Sequence, residues 1–173
     1  MEMMDVYDED RRPTGRTLDR DKGTRPGEYL TMVHLCLFNT QGELLIQQRQ
    51  TCKRAFPDLW DLSVGGGVRA GENSRTAIAR EAWEELGLCL DLSGVRPAMT
   101  VNFDDGFDDI YLMEGKLELS TLRLQADEVR DVRWASLSDV EALSADGTFI
   151  PYYSGFLRLL FEMRGRMGFL KRI

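Results

Sequence analysis

The stretch GGGVRAGENSRTAIAREAWEELGL, Gly65–Leu88, decides how the rest of the chain is read. It opens on three glycines and closes on Arg80-Glu81-Ala82-Trp83-Glu84-Glu85. Apolar spacing predicts a helix from Glu72 to Leu86, with Gly87 well placed as its stop. At about 100° per residue, Glu81, Glu84 and Glu85 fall within one arc. Ala79, Ala82, Trp83 and Leu86 fall on the opposite side. That side is expected to pack, leaving the carboxylates facing outward over the glycine loop. Like charges at such spacings weaken a helix, so something must neutralise them. Three grouped hard oxygen donors suit Mg²⁺ or Mn²⁺, and glycines let backbone approach a metal and phosphates closely. For an E-x-x-E-E run alone, a merely solvated acidic face is the commoner explanation.

Around this stretch the chain alternates between strands and helices without regular order. Residues 1–28 are polar and turn-rich, and the piece around Asp8–Pro13 reads as the tip of a β-hairpin. Tyr29–Phe38 and Glu43–Gln48 read as two strands joined by Asn39-Thr40-Gln41-Gly42, a plain hairpin turn. Trp60–Val64 is a short strand feeding the glycines. Val95–Phe103 and Asp109–Leu117 flank Asp104-Asp105-Gly106, and Val129–Ala135 is a further strand. Ser136 is an N-cap for a short helix. Tyr152–Met163 carries Phe156, Leu159, Leu160 and Met163 at helical spacing. The mixture predicts an α+β chain, a mixed sheet between helices, with residues 1–28 an N-terminal extension and 29–173 the main domain.

The chain has 173 residues, 22 Lys plus Arg against 29 Asp plus Glu, and a net charge of −7. That length buries a proper core. The acidic balance argues against broad binding to nucleic acid or an anionic membrane. No apolar run reaches the roughly 20 residues that span a bilayer. Three cysteines and one histidine lack zinc-site spacing. The thiols are read as reduced and the protein as cytoplasmic.

The arrangement Gly66-x5-Glu72-x7-Arg80-Glu81-Ala82-x-Glu84-Glu85-x-Gly87-Leu88 resembles the signature of the Nudix hydrolases at every fixed polar and glycine position. The resemblance implies an α/β/α sandwich and hydrolysis of a diphosphate linked to another moiety, with Mg²⁺ or Mn²⁺. It implies Glu84 and Glu85 as main metal ligands, Glu81 as a third and the Gly65 carbonyl as a fourth. Glu72 and Arg80 would form an ion pair fixing helix to loop. Glu81 and Glu85 are candidates for the base, with Asp108 and Asp109 weaker ones. The run LLIQQRQTCKRAFPDLWDLSVGGGV is similar to the branch that includes isopentenyl diphosphate isomerase and its hydrolase relatives. There, residues at the positions of Arg49 and Lys53 contact the substrate diphosphate. The isomerases carry a catalytic cysteine immediately after W-x-x-S-V, then Gly-His-Pro, and a metal site with several histidines. This chain has Gly65-Gly66-Gly67-Val68 there, with Leu30 and Gly67 at two of the histidine positions, so a hydrolase is expected. A nucleotide sensor without turnover is the alternative from another class, although such proteins commonly lose signature glutamates. The partner expected is a small-molecule diphosphate, with a homodimer left open by the family. His34, on an apolar strand, reads as structural. Phe103 and Tyr111 are core aromatics or stacking partners for a substrate ring. The basic amphipathic tail from Gly155 to Ile173 docks on its own domain or on a partner subunit.

Overall fold

The computed structural model describes residues 2–166 together with 168 and 170. Two strands open the chain, β1 (Met3–Tyr7) and β2 (Pro13–Asp19), paired antiparallel as the hairpin that the turn residues predict. Then follow β3 (Leu30–Phe38), β4 (Leu44–Arg49), β5 (Trp60–Asp61), β6 (Val64–Gly67), α1 (Ser74–Leu86), β7 (Met99–Phe103) and β8 (Gly106–Glu114). The chain closes with β9 (Val129–Ala135), α2 (Leu137–Ala145) and α3 (Ser154–Met163).

Seven strands form one mixed sheet in the order β5-β4-β3-β8-β7, with β6 also on β3 and β9 also on β4. At its centre β3 runs parallel to β8 from Leu30↔Gly106 to Phe38↔Glu114. The predicted turn between β3 and β4 forms and joins an antiparallel pair, but the two strands pair only at Phe38↔Leu44. The segment after the Arg49 loop drives between them. β5 pairs with β4, β6 pairs with β3, and Ser63 sits at the apex of the wedge. Its buried hydroxyl accepts from the Leu37 amide at 2.8 Å and donates to the Leu45 carbonyl at 2.6 Å. One side chain thereby satisfies the donor and acceptor left where the strands part. The glycines, read as loop, are strand residues of β6.

Alternation along β3 builds two cores. Val33, Leu35 and Leu37 pack with Ala77, Ile78, Ala82 and Leu86 of α1. Cys36 and Phe38 pack with Leu157, Leu160 and Phe161 of α3 on the opposite face. The result is the α/β/α sandwich expected, with helices on both faces. In α3 the inward residues are Leu157, Leu160, Phe161 and Met163, while Leu159 faces solvent. The tail reading extends beyond Arg166, where 167, 169 and 171–173 lie outside the described residues. β8 begins three residues earlier than its sequence pattern suggested, because Gly106 and Phe107 already pair with β3 and β7.

The N-terminal hairpin is sewn onto this body. Tyr7 pairs with Tyr29, Met4 with Arg69, and the Ala70 amide donates to the Met3 carbonyl at 2.8 Å. Met4 and Val6 are fully buried beside Leu30. Among the described residues no helix is long and apolar enough to cross a membrane.

Candidate active site

The wedge that splits β3 from β4 delivers Gly65–Gly67 to the N-terminal side of α1. There the chain turns at Gly71, whose φ of +80° favours glycine. Asn73 caps α1, its side chain accepting from the amides of Arg75 and Thr76 at 3.1 and 3.0 Å. Thr76 Oγ1 accepts in return from the Asn73 amide, a capping box. The helix therefore starts at Ser74, and Glu72 belongs to the turn before it. At the other end Gly87 takes the left-handed conformation, φ 69°.

α1 buries Ala77, Ile78, Glu81, Ala82, Glu85 and Leu86. This corrects the expected facing: Glu81 and Glu85 are buried, at 8% and 6% exposure, while Trp83 is half exposed. Trp83 lies under the Arg123 guanidinium, 5.9 Å from the ring centroid. The helix sets one shoulder of its inward face over the sheet and the other over a cleft, so the carboxylates line the cleft.

That cleft holds about 590 Å³. Its walls include Gly65, Gly66, Glu81, Glu84 and Glu85, with Arg49 and Lys53 from the loop after β4. The hairpin contributes Glu2, Met3 and Arg20, residues that the sequence offered no signal to place there. Gly66 is glycine for lack of space: a Cβ there would lie 2.2 Å from the Glu81 carboxyl. Arg80 is the hub of the loop. It forks onto Glu72 with two 2.9 Å bonds, donates to the Gly67 carbonyl at 2.9 Å, and reaches Glu81 at 2.7 Å and Glu84 at 3.2 Å. Those bonds hold the Glu72 carboxyl below its usual range and keep the guanidinium charged against burial. Arg69 forks onto Glu84 at 3.1 and 3.0 Å. Glu85 has a weaker partner, the Gln47 amide at 3.1 Å. Burial, then the neighbouring charge of Glu81, pushes its carboxyl up to about 8. Burial likewise raises Glu81, with Arg80 opposing.

Arg49 donates to the Ala55 carbonyl at 3.0 and 3.2 Å and to Asp61 at 3.4 Å, and Lys53 pairs with Glu128. Asp108 and Asp109, the weaker base candidates, do not line the cleft. Asp109 is forked by Arg11 at 3.0 and 2.6 Å and accepts from Thr100 at 2.6 Å. Asp108 Oδ2 lies 2.7 Å from His34 Nδ1. Burial alone would lower the basicity of His34, but Asp108 reverses this and holds it at about 9. Tyr111 is buried and shares a 2.9 Å hydrogen bond with Ser74, so it anchors α1 to the sheet. Phe103 is exposed on β7.

As the side chains stand, no three His, Cys, Asp or Glu side chains among the described residues converge on one metal-sized point. Glu81 and Glu84 are turned to guanidinium partners instead. The donor set nonetheless fits a hard divalent cation. Three carboxylates share one wall of the cleft, two of them are buried at a cost in desolvation, and Glu85 lacks a cationic hydrogen-bond partner.

Comparison with known proteins agrees with the architecture and the signature. Residues 29–153 match the NUDIX domain. A Nudix hydrolase of Listeria monocytogenes is 43% identical over 164 residues, covering 95% of this chain and 96% of that one. The isopentenyl-diphosphate Delta-isomerase of Citrobacter koseri is 35% identical over 125 residues, 66% of this chain and 69% of that enzyme. The crystal structure of DR0079 from Deinococcus radiodurans superimposes with a TM-score of 0.74 at 25% identity, covering 92% of this chain and 99% of that one.

Proposed function

The chain belongs to the Nudix hydrolase family, and from that premise we propose that it cleaves a diphosphate linkage in a nucleoside diphosphate derivative or another small organic diphosphate, with Mg²⁺ or Mn²⁺. The observation that carries this reading is the single cleft that gathers Glu81, Glu84 and Glu85 against Gly65-Gly66 while admitting Arg49 and Lys53.

Glu84 and Glu85 would hold the cation, with Glu81 and the Gly65 carbonyl completing the protein's share. When bound, the cation neutralises phosphate charge and lowers the pKa of a coordinated water. Arg49 offers a planar fork to phosphate oxygens and Lys53 a point charge. Both are tethered by protein acceptors in the free cleft, so a substrate phosphate replaces a carboxylate or carbonyl as their partner. Without a cation, burial and the neighbouring Glu81 push the Glu85 carboxyl up to about 8; as a ligand it would bind deprotonated, so cation binding there would release a proton. Glu81 remains the second candidate base. Arg80 supports both by fixing Glu72, the Gly67 carbonyl and Glu81 in one network.

The isomerase alternative fails on chemistry, since Gly65 offers no proton donor where the isomerases carry cysteine. The three free thiols support a reducing, cytoplasmic setting. A test is product release from nucleoside triphosphates, ADP-ribose, nucleotide sugars, dinucleotides, CoA and prenyl diphosphates, with Mg²⁺, Mn²⁺ or EDTA. Metal-dependent cleavage of one class, lost by about 10²-fold or more in Glu85→Gln as expected for a transition-state contact, establishes the reading. Silence across the panel, with a nucleotide still raising Tm, favours the sensor.

A further inference from the structure

His34 stands directly behind the cleft without lining it. β3 and β6 pair His34 with Gly65, and a Cβ placed on Gly65 would lie 2.5 Å from both Cδ2 and Nε2 of the imidazole. No side chain fits at 65 while the ring is there. On the next residue the obstruction is Glu81, 2.2 Å from a Cβ on Gly66. Successive strand residues point to opposite faces. The β6 backbone thus separates an imidazole on one side from a cleft carboxylate on the other.

The ring itself is fixed. Nδ1 lies 2.7 Å from Asp108 Oδ2, and the parallel register sets Ile110 beside His34 and Asp108 beside Met32. Asp108 Oδ1 is buried without a hydrogen-bond partner, so the carboxylate is committed to His34 through its other oxygen. A histidine needed only to fill core would not require an aspartate left half-satisfied behind it.

We propose that His34 is the positioning residue of the glycine strand: its ring is the wall that presses Gly65 and Gly66 towards Glu81, in the space that a side chain at position 65 would need. The proposal rests on the reading of the cleft as a divalent-cation site. It also gives a steric reason for the difference from the isomerase branch. Where the resemblance places a cysteine in those enzymes, this chain has glycine, and the His34 ring occupies the space a side chain at 65 would need. Cysteine at 65 would collide with His34 before it could do chemistry.

The test is a double-mutant cycle on the full chain, read as Mn²⁺ affinity by electron paramagnetic resonance and as Tm without metal. All variants carry Asp108→Asn, so that removing His34 strands no buried carboxylate. Gly65→Ala alone and His34→Ser alone are each expected to weaken Mn²⁺ about 10- to 100-fold, the usual cost of losing an outer-shell support. Combined, they are expected to recover to within about threefold, because the methyl takes the ring's space. Mn²⁺ affinity unchanged by His34→Ser, or Gly65→Ala costing the same with and without it, would overturn the proposal. Should His34→Ser not fold, His34→Asn carries the same comparison. Glu85→Gln runs alongside: if it binds Mn²⁺ like the parent, the cation-site reading is what fails. The contact is then still judged by Tm, which Gly65→Ala should lower only while His34 is present.

Discussion

At the scale of single residues the cleft is governed by what neutralises Glu84. Its partner Arg69 and the glutamate are both well exposed, at 44% and 36% of their side-chain surface, and such pairs contribute little to stability. A cation at Glu84 must displace that guanidinium, and Glu2 at 3.9 Å is the acceptor left to receive it. Removing Arg69 therefore takes away a competitor and a like charge at once. Arg69→Gln is expected to tighten Mn²⁺ binding about threefold while changing unfolding free energy by less than about 1 kcal/mol. Titration calorimetry with Mn²⁺ checks the first and urea unfolding the second. Weaker Mn²⁺ binding would mean that Arg69 holds the loop in place rather than standing in for the metal.

At the scale of elements, local features were legible and non-local ones were not. The helix, its glycine stop and the 66–88 spacing lie within one segment, so propensity and pattern suffice to find them. The Glu72–Arg80 pairing came from family resemblance, and the atoms lie where an ion pair requires. The Asn39–Gly42 turn is legible because it is local, and it forms, with the Gly42 amide donating to the Asn39 carbonyl at 3.0 Å. Nothing local reveals that residues 60–67 will part the strands beyond it. Trp83 and the glutamates were misassigned for a related reason: apolar spacing identifies a face but not that part of the face overlooks a cleft. The His34–Asp108 pair spans 74 positions, beyond any periodicity.

The clamp between Arg11 and Asp109 is another such long-range link, and it carries a pH prediction. Burial would raise the Asp109 carboxyl, but the hydrogen bonds from Arg11 and Thr100 outweigh it, so the folded value lies below the ordinary 3.8. A depressed carboxylate stabilises the fold above its ordinary value and loses that contribution as pH falls through the folded one. Arg11→Ala leaves a buried charge with neutral hydroxyls, Thr100 foremost, as its hydrogen-bond partners. The expected cost is about 3 kcal/mol at pH 7, the low end for a broken buried pair because Arg11 is partly exposed. The gap between variant and parent should close as pH falls below about 4, since a protonated Asp109 no longer needs Arg11. Urea midpoints across pH 2–8 measure it, and a pH-independent gap would assign the loss to packing against Phe107, over which Arg11 also lies.

At the scale of the whole molecule, the question is whether the N-terminal hairpin is an appendage or part of the catalytic body. The family match begins at residue 29, which suggests an appendage, yet the Listeria relative aligns over 95% of this chain. The geometry favours integration. Met4 and Val6 are fully buried, the Met3 carbonyl takes the Ala70 amide, and Asp5 accepts from the Gly71 amide at 2.8 Å. The last two bonds pin the turn between β6 and α1, the same turn whose Glu72 is forked by Arg80. Deleting residues 1–24 would thus remove one wall of the cleft and also free the loop that aims Gly65–Gly67 at Glu81. Both losses bear on ligands, and the buried Met4 and Val6 bear on stability, at about 1.5–3 kcal/mol for each large apolar side chain. The truncated chain is expected to show a lowered Tm, Mn²⁺ affinity reduced by at least about tenfold, and a higher KM on whichever substrate the parent proves to cleave. A truncated chain with parental Mn²⁺ affinity and KM would show that the glycine turn holds its shape alone. The hairpin would then be a cover over Leu30 rather than a wall of the site.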